Sequence, residues 1–597
     1  MATGPWGRAM LAFLCGSWAA SSLGTQPTTP YSHGGPYVAD AGLPPGVQAW
    51  YVDALAGSDS NDGRSPDRAW KTAKKALNLD YAPGSMVLFK RGTRHDGGAG
   101  SDSVGSPSPN TEQAPFVLGA YGNASLPLPV LVYRLNIRGE HVMARDIDVH
   151  QVQLRGRHIT LFQCTVHSMP PHRANNLVIL NKYSSYTAVV GCLVYDCNSN
   201  DLISIHDSSD GPVGSHHWVV DNTIIGNAGS EQGFDFASPG GAYDVKFINN
   251  RVQCNSLPGL STLTGSTRGG ATAGKIDSFV WMVNNIITGG SGYGITTGGH
   301  NQATVGNILY DSGSASNAML IVNTKRGDGV VVHNTVLQSL HGRAPVEFAD
   351  PNNGNRTDVR VRFTHNIVGL EESTAGTVRV DLPPAVRSKS RGGNTTVVAF
   401  DHNFYQNLDD GVAQKAGGTV VNKLTLAEWQ AQSGFDMHSG DGDVPGVTVP
   451  DAAVWADPRD WSDPAFMSHF TPDAGWSRCG GPNTPGPGAT APGAVDCSGT
   501  RVGIGLLAPF AEFAENGGFG WAGTPIVRER YPLPTAKSKP SPTSPAPASA
   551  GSTAPGTTTS AAAPSSFYLS TGNSCPQGVR VILTLTLTLR LSRVYTV

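Results

Sequence analysis

Short runs of alternating apolar and polar residues, each broken by a small or polar residue at a bend, recur through the middle of this chain. They read HITLFQCTV around Cys164, TAVVGCLVY around Cys192, WVVDNTII around Asn222, VKFINNRV around Asn250 and WMVNNII around Asn285. TVGNILY around Asn307, VVVHNTVL around Asn334, VRFTHNIV around Asn366 and VAFDHNFY around Asn403 continue the series, at intervals of 22 to 37 residues. Units this short cannot bury an apolar face alone; stacked, they form a solenoid, and a β-rich unit with Asn at its bend predicts a parallel β-helix. Asn amides stacked every ~4.8 Å can hydrogen-bond along the stack and satisfy turn backbone that is otherwise buried without partners. Cys in two of the slots fits a small buried residue there.

The flanks suit such a solenoid. From Tyr51 to Gly92 the chain reads YVDALAGSDSNDGRSPDRAWKTAKKALNLDYAPGSMVLFKRG. This predicts a strand, an Asp/Asn/Gly-rich turn, a short helix near Trp70 to Leu77 and a strand MVLFKRG. A helix there covers the apolar core and unpaired backbone that a first coil exposes. Later come LTLAEWQAQSGFDMHSGDGDVPG (Leu424 to Gly446), DPAFMSHFTPDAGW and GTRVGIGLLAPF. The opening segment resembles the first module of secreted right-handed parallel β-helix proteins of the pectate-lyase-like superfamily, and the later segments are similar to their closing region. The resemblance spans roughly residues 49–515. It implies an all-β right-handed parallel β-helix (solenoid) with a short N-terminal capping helix, and it speaks to fold more than to activity.

Composition adds compartment and boundaries. The chain has 597 residues, 73 Gly, 15% charged residues and a net charge of −3. Many short strands joined by turns suit that balance, and the lack of a basic stripe argues against nucleic acid. Arg8 followed by the apolar run AMLAFLCGSWAA reads as a signal peptide over 1–24, too short to span a membrane. Residues 25–48 read as a flexible N-terminus, 49–530 as the β-helix domain, 531–566 as a disordered Pro/Ser/Thr/Ala-rich tail, and 567–597 are unassigned. The expectation is a secreted protein, associated with a cell wall if the tail tethers it, and monomeric because a capped solenoid needs no partner. Sequons at Asn123, Asn355 and Asn394 are compatible with secretion. Cys479 and Cys497 flank a Pro/Gly-rich loop and can pair, whereas Cys164 and Cys192 are read as packed thiols.

Each coil parses into three strands. In the superfamily resembled, substrate lies along the strand that follows the variable loop. Those strands here are NNLVILNK (175–182), DLISIHD (201–207), GFDFAS (233–238), YGITTGG (293–299), AMLIVNTK (318–325) and APVEFAD (344–350). Alternation turns Leu177, Ile203 and Phe234 inward, with Ile179, Ile205 and Phe236 beside them, and Ser204, His206 and Asp235 outward. Asp201 opens its strand, Lys182 and Asp207 lie near strand ends, and Asp210 follows in the turn. The long loop from Asn255 to Lys275 carries Arg268 and Lys275 over the same region.

Several carboxylates on one patch suit Ca²⁺, a hard cation that takes several oxygen ligands. Asp201, Asp207, Asp210 and Asp235 are therefore the metal-ligand candidates. Lys182, His206, Asp235, Arg268 and Lys275 are the catalytic candidates. In a lyase acting on a uronate-containing glycan, Ca²⁺ or a cationic side chain neutralises the uronate carboxylate. A Lys, Arg or His then removes the adjacent proton and the glycosidic bond breaks by elimination. A hydrolase or epimerase on the same groove is an alternative; Asp207 and Asp235 can supply the roughly 5–9.5 Å separation a glycosidase needs. A non-catalytic carbohydrate-binding or cell-wall/extracellular-matrix protein is another, since Asp near β-helix turns also caps bends. The RxPxxR, NTD/DD/GHG and DPHD patterns of better-known β-helix enzymes are absent from the strands.

Overall fold

The computed structural model describes residues 47–96 and, with interruptions, 101–470. The chain divides into Met1–Lys537 and Ser538–Val597, and every described residue belongs to the first unit. The leader, the tail, the final segment, Asn355, Asn394 and the Cys479/Cys497 pair lie outside the described residues.

Strands one coil apart pair in parallel, and the pairings sort into three faces. The first face contains Thr187–Val190, Ser215–Val220, Tyr243–Ile248, Ser278–Val283, His300–Val305, Gly327–Val332, Val359–Thr364 and Val397–Asp401. The second follows each bend and runs from Thr165–His167 through Leu193–Tyr195 and Thr223–Ile225 to Phe404–Gln406. The third includes Val178–Asn181, Ile203–His206, Gln232–Asp235, Gly269–Thr272, Tyr293–Thr297, Leu320–Asn323 and Val346–Ala349. This is the parallel β-helix that the spacing and motifs predict. One exception is the antiparallel pair Val412–Ala416 with Thr419–Leu424, near the closing end.

Two earlier coils, Val130–Arg145 and Asp148–Phe162, run as continuous strands through all three faces. Their corners need glycine: a Cβ on Gly156 would sit 2.0 Å from the Gly139 carbonyl oxygen. On the third face an inward row stacks Val152, Val178, Ile203, Phe234, Ala271, Ile295, Leu320 and Val346 in register. All of these but Ala271, whose side chain is outside the described set, are fully buried. Ile179 departs from its expected place. It shares the outward register of Gln153 and Ser204, while Val178 and Leu180 fill the core. Leu177 is also buried, because the strand starts only at Val178 and alternation does not hold before it.

The bends account for the Asn ladder. Asn222, Asn250, Asn285, Asn307, Asn334, Asn366 and Asn403 are at most 1% exposed. From Asn222 to Asn366, each Nδ2 donates to the Oδ1 of the next Asn at 2.9–3.1 Å. That same Oδ1 accepts the backbone N–H of the preceding ladder residue at 2.9–3.1 Å. Cys164 and Cys192 remain buried thiols directed at backbone carbonyls. The residue before each slot is left-handed, from Gln163 and Gly191 through Asp221, Asn249, Asn284 and Gly306 to His333, His365 and His402, with φ of 48–65°. Gly, Asn, Asp and His are the residues that enter this region most readily, which explains the recurring DN, NN, GN and HN dipeptides.

Both ends are closed by motif residues with specific jobs. In the opening module Asp59 Oδ1 accepts the N–H groups of Lys71 and Thr72, and the Thr72 side chain caps helix α1 (Ala73–Leu77). Trp70 Nε1 donates to the Asn61 carbonyl, and Gly63, at φ +71°, lies where any Cβ would enter the Trp70 ring. Ala73, Ala76 and Leu77 join the solenoid core. At the far end, helix α2 (Leu426–Ser433) starts with a Thr425/Glu428 capping box and stops at left-handed Gly434. Buried Asp436 then terminates the ladder, accepting from Asn403 Nδ2, Tyr405 Oη, Trp429 Nε1 and Ser439 Oγ. Burial raises its pKa, although those four donors oppose the shift. No described helix is long and apolar enough to cross a membrane.

Candidate functional site

The outward side of the third face carries a polar row. Asn136, Gln153, Ile179, Ser204, Asp235, Thr272 and Thr296 stand in register on successive coils. Ser204 and Asp235 are therefore neighbours, as alternation predicts, with Asp235 half-buried and Ser204 1% exposed. Asp201 is buried at the start of the same strand, where Asn176 Nδ2 donates to its Oδ2 at 3.3 Å and to Ser204 Oγ at 3.1 Å. The network continues backwards: Gln151 Nε2 donates to the Asn176 carbonyl, and Arg134 Nε donates to Gln151 Oε1 at 2.6 Å.

His206 pairs in register with Asn181, which places its backbone on the outward row beside that of Ser204; its side chain is outside the described set. Lys182, Asp207, Asp210, Phe236, Arg268 and Lys275 lie outside the described residues. The structure thus brings together Asp201, Ser204 and Asp235 from the expected cluster. Positions 201 and 235 are three residues apart along the strand and one coil across, roughly 11 Å by strand geometry. These two carboxylates do not by themselves make the six- to eight-oxygen shell of Ca²⁺. Asp201 also has a structural task in holding Asn176.

The sequence reading missed the arginines. Arg134 and Arg138 on one coil and Arg155 and Arg157 on the next are exposed on the outward side, separated by buried Leu135, Ile137 and Leu154. Arg138 and Arg155 are register partners one strand spacing apart. Among the described residues none of the four forms an ion pair; Arg157 instead sits 5.9 Å over the Tyr186 ring. Burial, then the charges of Arg138 and Arg134, pull the Arg155 guanidinium below its ordinary pKa. The signal was present in VYRLNIRGE and QLRGRHI, where Arg134, Arg138 and Arg155 each follow an apolar residue. It was overlooked because these coils precede the first Asn or Cys bend of the series.

Between the arginines lie Asn136 and Gln153, 3% and 7% exposed. Their side-chain oxygens, like that of Gln232 two coils beyond Ile179, are buried with no hydrogen-bond partner among the described residues. Leaving a buried acceptor unpaired costs about 1–3 kcal/mol. Chemically, the face offers fixed positive charge for carboxylates and a carboxylate, Asp235, farther along.

No family model and no curated protein matches this chain. Solved structures similar to it include a GH87 α-1,3-glucanase from Streptomyces thermodiastaticus, 14% identical with a TM-score of 0.43, covering 69% of this chain and 70% of the glucanase. A pectate lyase is 14% identical with a TM-score of 0.37, covering 58% and 80%. A GH136 lacto-N-biosidase from Eubacterium ramulus is 11% identical with a TM-score of 0.39, covering 59% and 68%.

Proposed function

We propose that this chain is a carbohydrate-active β-helix protein whose third face binds an acidic, uronate-containing glycan and cleaves it as a lyase. The observation that carries the reading is the group of exposed arginines Arg134, Arg138 and Arg155, which form no ion pair among the described residues and alternate with buried Asn136 and Gln153 on that face. Guanidinium groups match carboxylates in a planar, two-pronged fashion. Neutralising the uronate carboxylate acidifies the proton on the adjacent carbon. A base then takes that proton, the electron pair forms a carbon–carbon double bond, and the glycosidic oxygen leaves with a proton. Lys182, His206, Arg268 and Lys275 are the proposed candidates for base or carboxylate contact. Asp201, Asp207, Asp210 and Asp235 are the proposed ligands if Ca²⁺ assists; its chemistry would be the same neutralisation of carboxylate charge.

Binding without cleavage is the second reading. It is favoured by the three strand steps, roughly 14 Å, that separate the Arg155 strand from that of Asp235. The deciding experiment is the ultraviolet absorbance of unsaturated uronates, with pectate, alginate or glycosaminoglycan, in calcium or chelator. Absorbance that disappears in Asp235→Ala supports the lyase. Retention of a polyuronate without new absorbance leaves binding alone.

A further inference from the structure

Among the described residues, one gathering of metal-type donors lies away from the third face. Asp401 ends the last first-face strand, His402 is the left-handed residue at the next bend, and His438 follows helix α2. Asp401 Oδ1 is fixed by two backbone donors, the N–H of His402 at 2.9 Å and that of His438 at 2.8 Å. Its other oxygen, Oδ2, meets His438 Nδ1 at 2.8 Å and His402 Nδ1 at 3.4 Å. One ligand atom from each residue lies within 4.8 Å of the other two. The imidazoles stack 5.0 Å apart, and His365 and His333 continue the stack behind them at 5.1 and 5.0 Å.

We propose that Asp401, His402 and His438 form a binding site for a divalent transition-metal ion of the Zn²⁺ type. Neighbouring ligand atoms around tetrahedral zinc are about 3.3 Å apart, given metal–ligand bonds of ~2.0–2.2 Å. Asp401 Oδ2 already lies 2.8 and 3.4 Å from the two Nδ1 atoms, and one ion binds both imidazoles once the stacked rings turn so that their in-plane nitrogens converge. Two imidazole nitrogens with one carboxylate suit Zn²⁺, Co²⁺ or Ni²⁺, whereas Ca²⁺ wants oxygen alone. The paired backbone donors on Oδ1 hold the carboxylate in place, the role outer contacts play in built metal sites. Side-chain exposures of 31%, 28% and 61% leave an approach for the ion and a fourth position for water or an external ligand. The site fastens the segment after α2 to the last coil, beside Asn403 and its partners Asp436 and Ser439. Metal binding is thereby linked to closure of the solenoid, and an ion that binds only the closed form raises stability.

The test uses the full secreted chain, stripped with chelator and titrated with Co²⁺ and Zn²⁺. Wild type is expected to show one site with the visible absorption of tetrahedral Co²⁺, displaced by Zn²⁺, and a higher melting temperature with Zn²⁺. His438→Ala and Asp401→Asn lose at least tenfold in affinity, while His365→Ala retains the site. His438 is the most exposed ligand, so His438→Ala serves as the folded control, checked by an unchanged melting temperature in chelator; His402→Ala is the second variant. Equal Co²⁺ affinity in wild type, His438→Ala and His402→Ala overturns the proposal and identifies adventitious binding to other histidines. Tighter binding of Ca²⁺ than of Zn²⁺ at this site overturns it as well.

Discussion

Replacing Asn285 by Ala isolates what the ladder contributes. Four hydrogen bonds go with the side chain: those accepted from Asn250 N–H at 2.9 Å and Asn250 Nδ2 at 3.1 Å, and those donated to the Phe247 carbonyl and Asn307 Oδ1, both 2.9 Å. Asn250 Nδ2 keeps a partner in the Val219 carbonyl, and Asn307 Oδ1 keeps the Asn285 N–H. The Asn250 N–H loses its side-chain acceptor in a site that excludes water. At about 1–3 kcal/mol for the orphaned donor and ~1 kcal/mol for each of the other three lost bonds, the cost is about 4–6 kcal/mol before relaxation. Cys192→Ala, in an equivalent slot, removes only weak thiol contacts at 3.5 and 3.6 Å and should cost about 1–2 kcal/mol. A solenoid opens locally, so amide hydrogen exchange over residues 247–251 and 282–287 is the proper assay. Exchange there should quicken by roughly three powers of ten in Asn285→Ala, since ~1.4 kcal/mol is a factor of ten. A change under tenfold, or one no larger than that of Cys192→Ala, refutes the argument that these amides hold the bends.

Gly156→Ala should destabilise by several kcal/mol on thermal melting, because its Cβ would meet the Gly139 carbonyl oxygen at 2.0 Å and backbone cannot yield cheaply. His95 is buried, and that burial lowers its pKa to about 4 although Asp53 and Asp96 pull the other way. As pH falls from 6.5 towards 4 the unfolded chain takes up a proton that the folded chain refuses, so stability drops by up to about 3 kcal/mol in that window. Denaturant unfolding at pH 7 and pH 4.5 should show this loss, and His95→Gln should remove it. Burial pushes the Cys254 thiol up to about 12, so thiol reagents at pH 8 should label it only on unfolding.

Much of the scaffold could be read because its rules are local. The bend Asn must face inward for its amide to reach the next coil, and the preceding residue must accept a left-handed backbone, so both leave a sequence trace. The opening turn is equally legible, since Asp59, Gly63, Trp70 and Thr72 each do one fixed task. Ile179 shows where local reading ends: strand phase is set by register with Ser204 and Gln153, and a run of four apolar residues offers no internal mark of it. Asp201 is a metal-ligand candidate by sequence, but charge near a turn looks alike whether it binds an ion or, as here, an Asn176 amide. The arginines went unread because their meaning depends on two coils being adjacent. The Asp401/His402/His438 group joins residues 36 apart through a helix, beyond the reach of any motif.

The most direct test of the glycan face is a binding isotherm for a polyuronate and for the same polymer with its carboxylates reduced to alcohols. Wild type should bind the polyuronate, lose affinity with added salt, and ignore the reduced polymer. The Arg138→Gln/Arg155→Gln double variant should lose at least tenfold of that affinity, about 1.4 kcal/mol, with an unchanged melting temperature. Equal binding of the charged and reduced polymers, or full affinity in the double variant, contradicts the assignment of this face to an acidic glycan.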